Sequence, residues 1–192
     1  MDITICVATH GDDKWKRIAQ EWAIPSAEAQ GVPVVVSHYR KRGLAASRNG
    51  ALRKVETEWV MFLDADDELE PGYVEALGRA GGDLRVGSLV EVKPDGSRGR
   101  IRLERRNIEK VNPCHVGTAI RTETLRDLGG FPTQFPRWED WAVFLRAFRR
   151  GASIVHVPDA VYLQHWRPDS MGRTVVDVCD PYALHDEIRA WA

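Results

Sequence analysis

Two short acidic groups carry the chemistry this sequence could do. The first follows an apolar run in "VMFLDADDE" (60–68), where Val60–Leu63 lead directly into Asp64, Asp66, Asp67 and Glu68. Carboxylates this close repel one another and resist losing water. A solvated turn relieves that repulsion, and so does a bound cation. The spacing Asp64-Ala65-Asp66 lets a turn bring both carboxylates toward one ligand, and hard oxygen donors of this kind suit Mg²⁺ or Mn²⁺ when phosphates complete the shell. The second group is Glu139-Asp140 in "WEDW" (138–141), at the start of a helical pattern. Acids there gain about 0.3–1 kcal/mol each from the helix dipole. The flanking Trp138 and Trp141 suggest something further, because an apolar wall raises a carboxyl pKa toward the range useful to a general base.

The elements around these groups alternate. "ITICVAT" (3–9), "PVVVSHY" (33–39) and "EWVMFLDA" (58–65) read as buried strands. Between them, residues 12–31 have helical spacing with a break or kink at Pro25, and "GLAASRNGALRKV" (43–55) is a helix rich in small residues. "PGYVEALGRAG" (71–81) is a further helix, opening at Pro71. The order β-α-β-α-β-α implies a parallel sheet with helices on its faces, whose ligands bind beyond the carboxyl ends of the strands. Asp64, Asp66, Thr9 and His10 all fall at that edge.

Beyond residue 82 the pattern changes. A hairpin turns at Pro94-Asp95-Gly96, a short strand covers 115–121, and a Gly-capped helix covers 122–130. An amphipathic helix spans 138–151 with Trp141, Phe144, Leu145 and Phe148 on one face. Two strand-like pieces, 153–159 and 160–167, follow, and a short helical segment ends the chain.

Composition sets outer bounds. At 192 residues, 43% apolar and 29% charged, the chain fits one globular domain. A net charge of −1 gives no general attraction to nucleic acid or anionic membrane, so a nucleic-acid partner is not expected. Cys6, Cys114 and Cys179 lack CxxC spacing and read as reduced thiols of a cytoplasmic protein. No apolar run is long enough to span a bilayer, and no signal peptide is evident.

In order along the chain, "ITICVAT", "GLAASRNGAL", "WVMFLDADDEL", "HVGTAIRTETLRDLGGF", "EDWAVFLRAFRRG" and the histidine of "YLQHW" resemble a family 2 glycosyltransferase of the inverting GT-A type over residues 3 to 167. The resemblance implies an α/β GT-A fold: a Rossmann-like, mostly parallel mixed sheet flanked by helices, in one domain over 1–192. Residues 1–82 would bind a nucleotide sugar and 83–192 the acceptor. It implies a nucleotide-diphosphate sugar as donor, UDP-sugar by default, and Mn²⁺ or Mg²⁺ as cofactor. Thr9 would line the nucleobase pocket, and Arg48 and Asn49 would lie near the donor nucleotide. Asp64 would bond the ribose or sugar, Asp66 would hold the metal, and His165 would complete metal or diphosphate binding. Asp140 would be the catalytic base, with Glu139 contacting the acceptor or supporting the helix start. Trp138, Trp141 and Trp166 adjoin this site and are candidates for stacking on a sugar; Trp15, Trp22, Trp59 and Trp191 read as packing residues.

One stretch departs from the family pattern. After the second strand, where acids usually read base and ribose, the chain has Ser37, His38 and Tyr39. Two other readings stand beside the glycosyltransferase: a Mg²⁺-dependent phosphatase or phosphotransferase with an Asp-x-Asp site, and an inactive nucleotide-sugar-binding module. The basic run "SRGRIRLERR" (97–106) reads as a solvated hairpin face with Ile101 and Leu103 turned inward, or as a surface for a phosphate-bearing acceptor. The segment 169–180 reads as a substrate-covering loop or as plain disorder.

Overall fold

The computed structural model describes residues 1–167 and 181–192. The segment 169–180 and Cys179 therefore lie outside the described residues. One mixed sheet runs through the chain in the order β2-β1-β3-β7-β5-β8-β4, with β6 paired to β5 at its side.

The N-terminal half behaves as its apolar runs dictate. β1 (Ile3–His10) is buried along nearly its whole length and sits between β2 (Val34–Tyr39) and β3 (Trp59–Leu63), both parallel to it. The register pairs Thr9 with His38 and Val7 with Leu63, so the residues after each strand emerge at one edge. α3 (Gly43–Leu52) packs on β1 and β2 through Ala45, Ser47, Gly50 and Ala51. A Cβ at Gly50 would stand 2.8 Å from the Tyr39 hydroxyl and 2.9 Å from Ser37 Oγ, so only glycine permits this approach.

Pro25 divides the first helical region. α1 (Lys14–Glu21) ends four residues before it, and α2 (Ala23–Glu28) starts after a non-helical Trp22. Proline offers no N–H to the carbonyl of Glu21 and its ring crowds that carbonyl, which places the break there. At the next helix, α4 (Tyr73–Arg79), Pro71 precedes the start, and Gly72 takes the N-cap at φ +82°.

In the second half the strands run both ways. β5 (Leu84–Val92) and β6 (Arg98–Ile101) form the expected hairpin around Gly96. β7 (Ala119–Arg121) inserts antiparallel between β3 and β5 and joins the two halves of the sheet. β8 (Ile154–His165) is one strand where the sequence suggested two. Its register against β5 jumps from Gly87↔Val157 to Ser88↔Val161, so Pro158–Ala160 bulge out. A bulge is where a sheet tolerates a proline such as Pro158, and it lies at the join between the two expected pieces. β4 (Asp67–Leu69) pairs antiparallel with the end of β8 and carries the acid cluster against it.

α5 (Thr122–Asp127) and α6 (Glu139–Arg149) cover the sheet, and α7 (Pro181–Trp191) packs against α6. On α6, Trp141, Phe144 and Leu145 are buried as their spacing predicts, whereas Phe148 is 40% exposed and lies off that face. The long helix dipole of α6 therefore points its positive end toward Glu139 and Asp140.

Candidate active site

The strand ends, the start of α6 and the β8 terminus enclose a cleft of about 730 Å³. Arg48 organises its floor. It is 3% exposed, and its two terminal nitrogens diverge: Nη2 donates to Asp64 Oδ1 at 2.7 Å and Nη1 to Glu139 Oε1 at 2.5 Å. One guanidinium thus joins the acid group after β3 to the acid group at the start of α6. Both carboxylates hold it protonated, raising an already high pKa against the opposing effect of burial. The Phe131 ring lies 5.5 Å beneath the guanidinium. The sequence suggested that Arg48 lies near a donor; its bridging of the two acid groups was not legible there.

The remaining acids after β3 separate by side. Asp64 keeps about a third of its side chain exposed while bound to Arg48, so it can still meet a ligand. Asp66 lines the cleft, with Arg167 Nε at 3.8 Å from its Oδ2. Asp67 turns inward instead. It is buried and accepts hydrogen bonds from the Tyr162 hydroxyl at 2.9 Å and the His165 backbone N–H at 3.0 Å. Burial, followed by the charges of Asp66 and Asp64, pushes its carboxyl well above the usual range. Asp67 fastens β4 to β8.

His165 reaches the cleft but is partly committed. Its Nε2 lies 2.7 Å from Glu68 Oε2, and since a carboxylate only accepts, Nε2 carries the proton there. The edge of Trp22 packs on the ring at 4.2 Å. Only Nδ1 remains as a ligand atom. Among the described residues, no three His, Cys, Asp or Glu side chains gather closely enough to hold a metal ion. Asp66 alone would suit Mg²⁺ or Mn²⁺ only as one carboxylate donor, with phosphates of a ligand and water completing the shell.

Across the cleft, Asp140 is half-buried and accepts from Asn112 Nδ2 at 3.0 Å. Its carboxyl is pushed up to about 6, chiefly by burial and then by Glu139, while the positive charge of Arg48 opposes the rise. A carboxyl poised near neutrality is suited to taking a proton from a hydroxyl. Asn112 was not singled out by sequence reading. Its Oδ1 accepts from the Cys114 N–H at 3.0 Å, which fixes the amide so that Nδ2 faces Asp140. The local signal was an Asx turn in "NPC", legible only as a turn.

Trp138 caps α6 in a left-handed conformation, φ +60°, the only non-glycine residue with positive φ among those described. Its ring lines the cleft and stacks with the Arg137 guanidinium at 3.8 Å. Such strain costs about 1–3 kcal/mol and is held by surrounding structure at sites of function. Trp166 also lines the cleft, and so does Trp15, which sequence reading assigned to packing. Trp141 does not: it is 1% exposed, and its Nε1 donates to the Ile108 carbonyl at 2.8 Å. The helical period that placed it beside Asp140 in sequence turns it into the core.

Thr9 reaches the cleft, with Oγ1 2.9 Å from His38 Nδ1. His10 beside it also lines the cleft, its pKa lowered mainly by burial. Asn49 is not brought there. Its Nδ2 donates to the Phe131 carbonyl at 2.8 Å and its Oδ1 accepts the Phe131 N–H at 2.8 Å, so the whole amide is spent on that loop. The departing stretch forms the end of β2 itself, where Ser37 and Tyr39 pack on α3 and only His38 faces Thr9. Cys114 lines the cleft but is buried, and burial pushes its thiol far up, away from the thiolate a nucleophile needs; Cys6 is likewise buried, its thiol pushed up to about 12.

The sequence profile of glycosyl transferase family 2 matches residues 1–131. The chain belongs to glycosyl transferase family 2. A 48-residue stretch is 40% identical to EpsH of Bacillus subtilis (strain 168), a protein named as a glycosyltransferase, and covers 25% of this chain and 14% of EpsH. The fold is similar to that of S. aureus TarS 1-349 in complex with UDP-GlcNAc, with TM-score 0.70 and 17% identity over 99% of this chain and 71% of that one. A longer TarS structure gives TM-score 0.63 and 17% identity, with 98% of this chain and 42% of TarS covered. GalNAc-T7 with UDP, GalNAc and Mn²⁺ gives TM-score 0.57 and 13% identity over 87% of this chain and 44% of its own. At these identities the likeness is one of fold, and the fold is GT-A. This family 2 chain spans only a small part of EpsH and under half of the longer TarS chain. No helix among the described residues is long and apolar enough to cross a membrane.

Proposed function

We propose that this chain transfers a sugar from a nucleotide-diphosphate donor, UDP-sugar foremost, to an acceptor hydroxyl, with inversion at the sugar carbon and dependence on Mn²⁺ or Mg²⁺. The observation that carries the proposal is the Arg48 bridge. It fixes Asp64 and Glu139 relative to each other, so a donor on the Asp64–Asp66 side and a base at Asp140 share one cavity. The TarS complexes with UDP-GlcNAc and UDP, and GalNAc-T7 with UDP and Mn²⁺, support this donor class and cofactor for the present chain.

In this account Thr9 and His10 line the nucleobase end of the cleft, and Asp64 bonds the ribose or sugar. Asp66, with Nδ1 of His165 as a second candidate donor, would hold the divalent ion. When bound, that ion supplies Lewis-acid stabilisation of the departing diphosphate. Asp140 takes the proton from the acceptor hydroxyl, on the face of the sugar opposite the diphosphate. That opposite approach gives inversion. Asn112 holds the Asp140 carboxylate in place, and its N–H favours the ionised form. Trp138 offers an aromatic wall to the acceptor, and Glu139, committed to Arg48, supports the start of α6 more than it contacts the acceptor.

The residues 1–82 and 83–192 would then be donor-side and acceptor-side halves of one domain. The test is the stereochemistry of the first product. UDP-GlcNAc carries an α-linked sugar, so proton NMR of its Mn²⁺-dependent hydrolysis or transfer should show the β anomer first. An α anomer first would overturn the inverting assignment. Release of phosphate from a simple phosphoester, with no UDP released from UDP-GlcNAc, would favour the phosphatase.

A further inference from the structure

The charges of the cleft do not pair evenly. Arg48 serves Asp64 and Glu139, and Arg167 stands against Asp66. Two other arginines, Arg106 and Arg137, line the same cleft and form no ion pair among the described residues. Arg137 precedes the strained Trp138 and stands over its ring at 3.8 Å, while its Nε is buried with no hydrogen-bond partner. Arg106 follows the 3-10 turn Leu103–Arg105 and donates from Nη1 to the Asn112 carbonyl at 3.0 Å, so it is tied to the loop that aims Asn112 at Asp140.

Both therefore stand on the side of the proposed base, and neither is spent on Asp140, whose carboxyl feels Arg48 as its cationic neighbour. Around Arg106, the anions are already taken: Glu104 meets Arg100, and Glu109 meets Arg149. The cleft also carries carboxylates, Asp66, Glu91 and Asp140 among them, so the two guanidinia are a feature of its acceptor side and not of a positively charged cleft. A guanidinium held over an aromatic ring keeps a fork of N–H donors that matches a phosphate or carboxylate.

We infer that Arg106 and Arg137 form an anion subsite on the acceptor side of the cleft, and that the acceptor is a hydroxyl compound carrying a phosphate near the reacting hydroxyl. The inference rests on the proposed transfer reaction and specifies its acceptor class. The diphosphate of the donor is the other phosphate these arginines could serve, so the test fills the donor site first.

The probes are glycerol 1-phosphate and glycerol, titrated calorimetrically into the full chain held in saturating UDP and Mn²⁺, with UDP affinity measured in the same preparations. Glycerol 1-phosphate should bind at least tenfold more tightly than glycerol. The variant Arg106→Gln/Arg137→Gln should lose that preference while its UDP affinity stays within threefold of the parent, which also shows that it is folded. Equal binding of the two probes, or a preference that survives both substitutions, would overturn the subsite. A tenfold loss of UDP affinity in the variant would assign the arginines to the donor and overturn it too. Failure of the parent chain to bind UDP would instead strike the proposed reaction itself.

Discussion

Replacing Arg48 by methionine should be among the costliest single changes in this chain. Methionine keeps most of the stem volume and removes the charge, so the loss is electrostatic before it is steric. Glu139 would lose its 2.5 Å partner with its side chain only 6% exposed, whereas Asp64, at 34%, can recover water. The cost therefore falls mainly on Glu139. Removing one partner of a buried ion pair costs about 3–5 kcal/mol, because the other charge is left without compensation. For a domain of this size that loss lowers the melting temperature by roughly 6–20 °C. Urea unfolding followed by the fluorescence of the seven tryptophans measures it directly. Glu139→Gln in the Arg48→Met background removes the stranded charge and should recover about 1.5–3 kcal/mol, a coupling of the size seen between contacting residues. A loss below about 1 kcal/mol for Arg48→Met, or no recovery in the double variant, would refute the reasoning, because a truly buried bridge permits neither.

Other expectations concern the base and its support. Because burial lifts Asp140 to about 6, and a base must be deprotonated to act, transfer should fall as pH drops through about 6, read as the acid limb of kcat/KM. Asp140→Asn should abolish transfer and keep UDP binding. It should be no less stable than the parent at pH 7: the raised pKa shows that the fold disfavours the ionised form there, and asparagine still accepts from Asn112. Asn112→Leu removes a hydrogen bond to a charged group, worth about 1.5–3 kcal/mol, so kcat should drop about 10- to 100-fold and the acid limb should move to higher pH. Asn49→Ala severs both bonds to the Phe131 backbone and should cost about 1–3 kcal/mol in urea unfolding while leaving UDP affinity unchanged.

How much of this was legible in the sequence depended on whether the cause was local. The apolar runs of β1 and β3, and the acids that follow Leu63, gave the central strands and the edge where a ligand would lie. The small-residue face of α3 was equally plain, since Gly50 and Ala51 read as close packing. Long-range partnership was not legible. Arg48 and Glu139 lie 91 residues apart, and nothing near either one announces the other. Asn49 shows the same gap in reverse: beside Arg48 it looked like a donor contact, yet one helical step turns it toward the Phe131 loop. The stretch 153–167 read as two strand-like pieces meeting at 159/160, and the structure joins them through a bulge at Pro158–Ala160 that keeps β8 continuous. Trp141 went to the core and Trp15 both packs on the core and lines the cleft, because a tryptophan's type fixes its need for burial while its place on the helix decides what buries it.

The most direct test of the account is calorimetric titration of UDP into the parent chain and into Asp66→Ala, each with and without Mn²⁺. Binding by the parent should strengthen at least tenfold with Mn²⁺, and in the Asp66→Ala variant Mn²⁺ should make no difference. UDP affinity that is the same with and without Mn²⁺ in the parent, or a metal effect that survives the loss of Asp66, would contradict it.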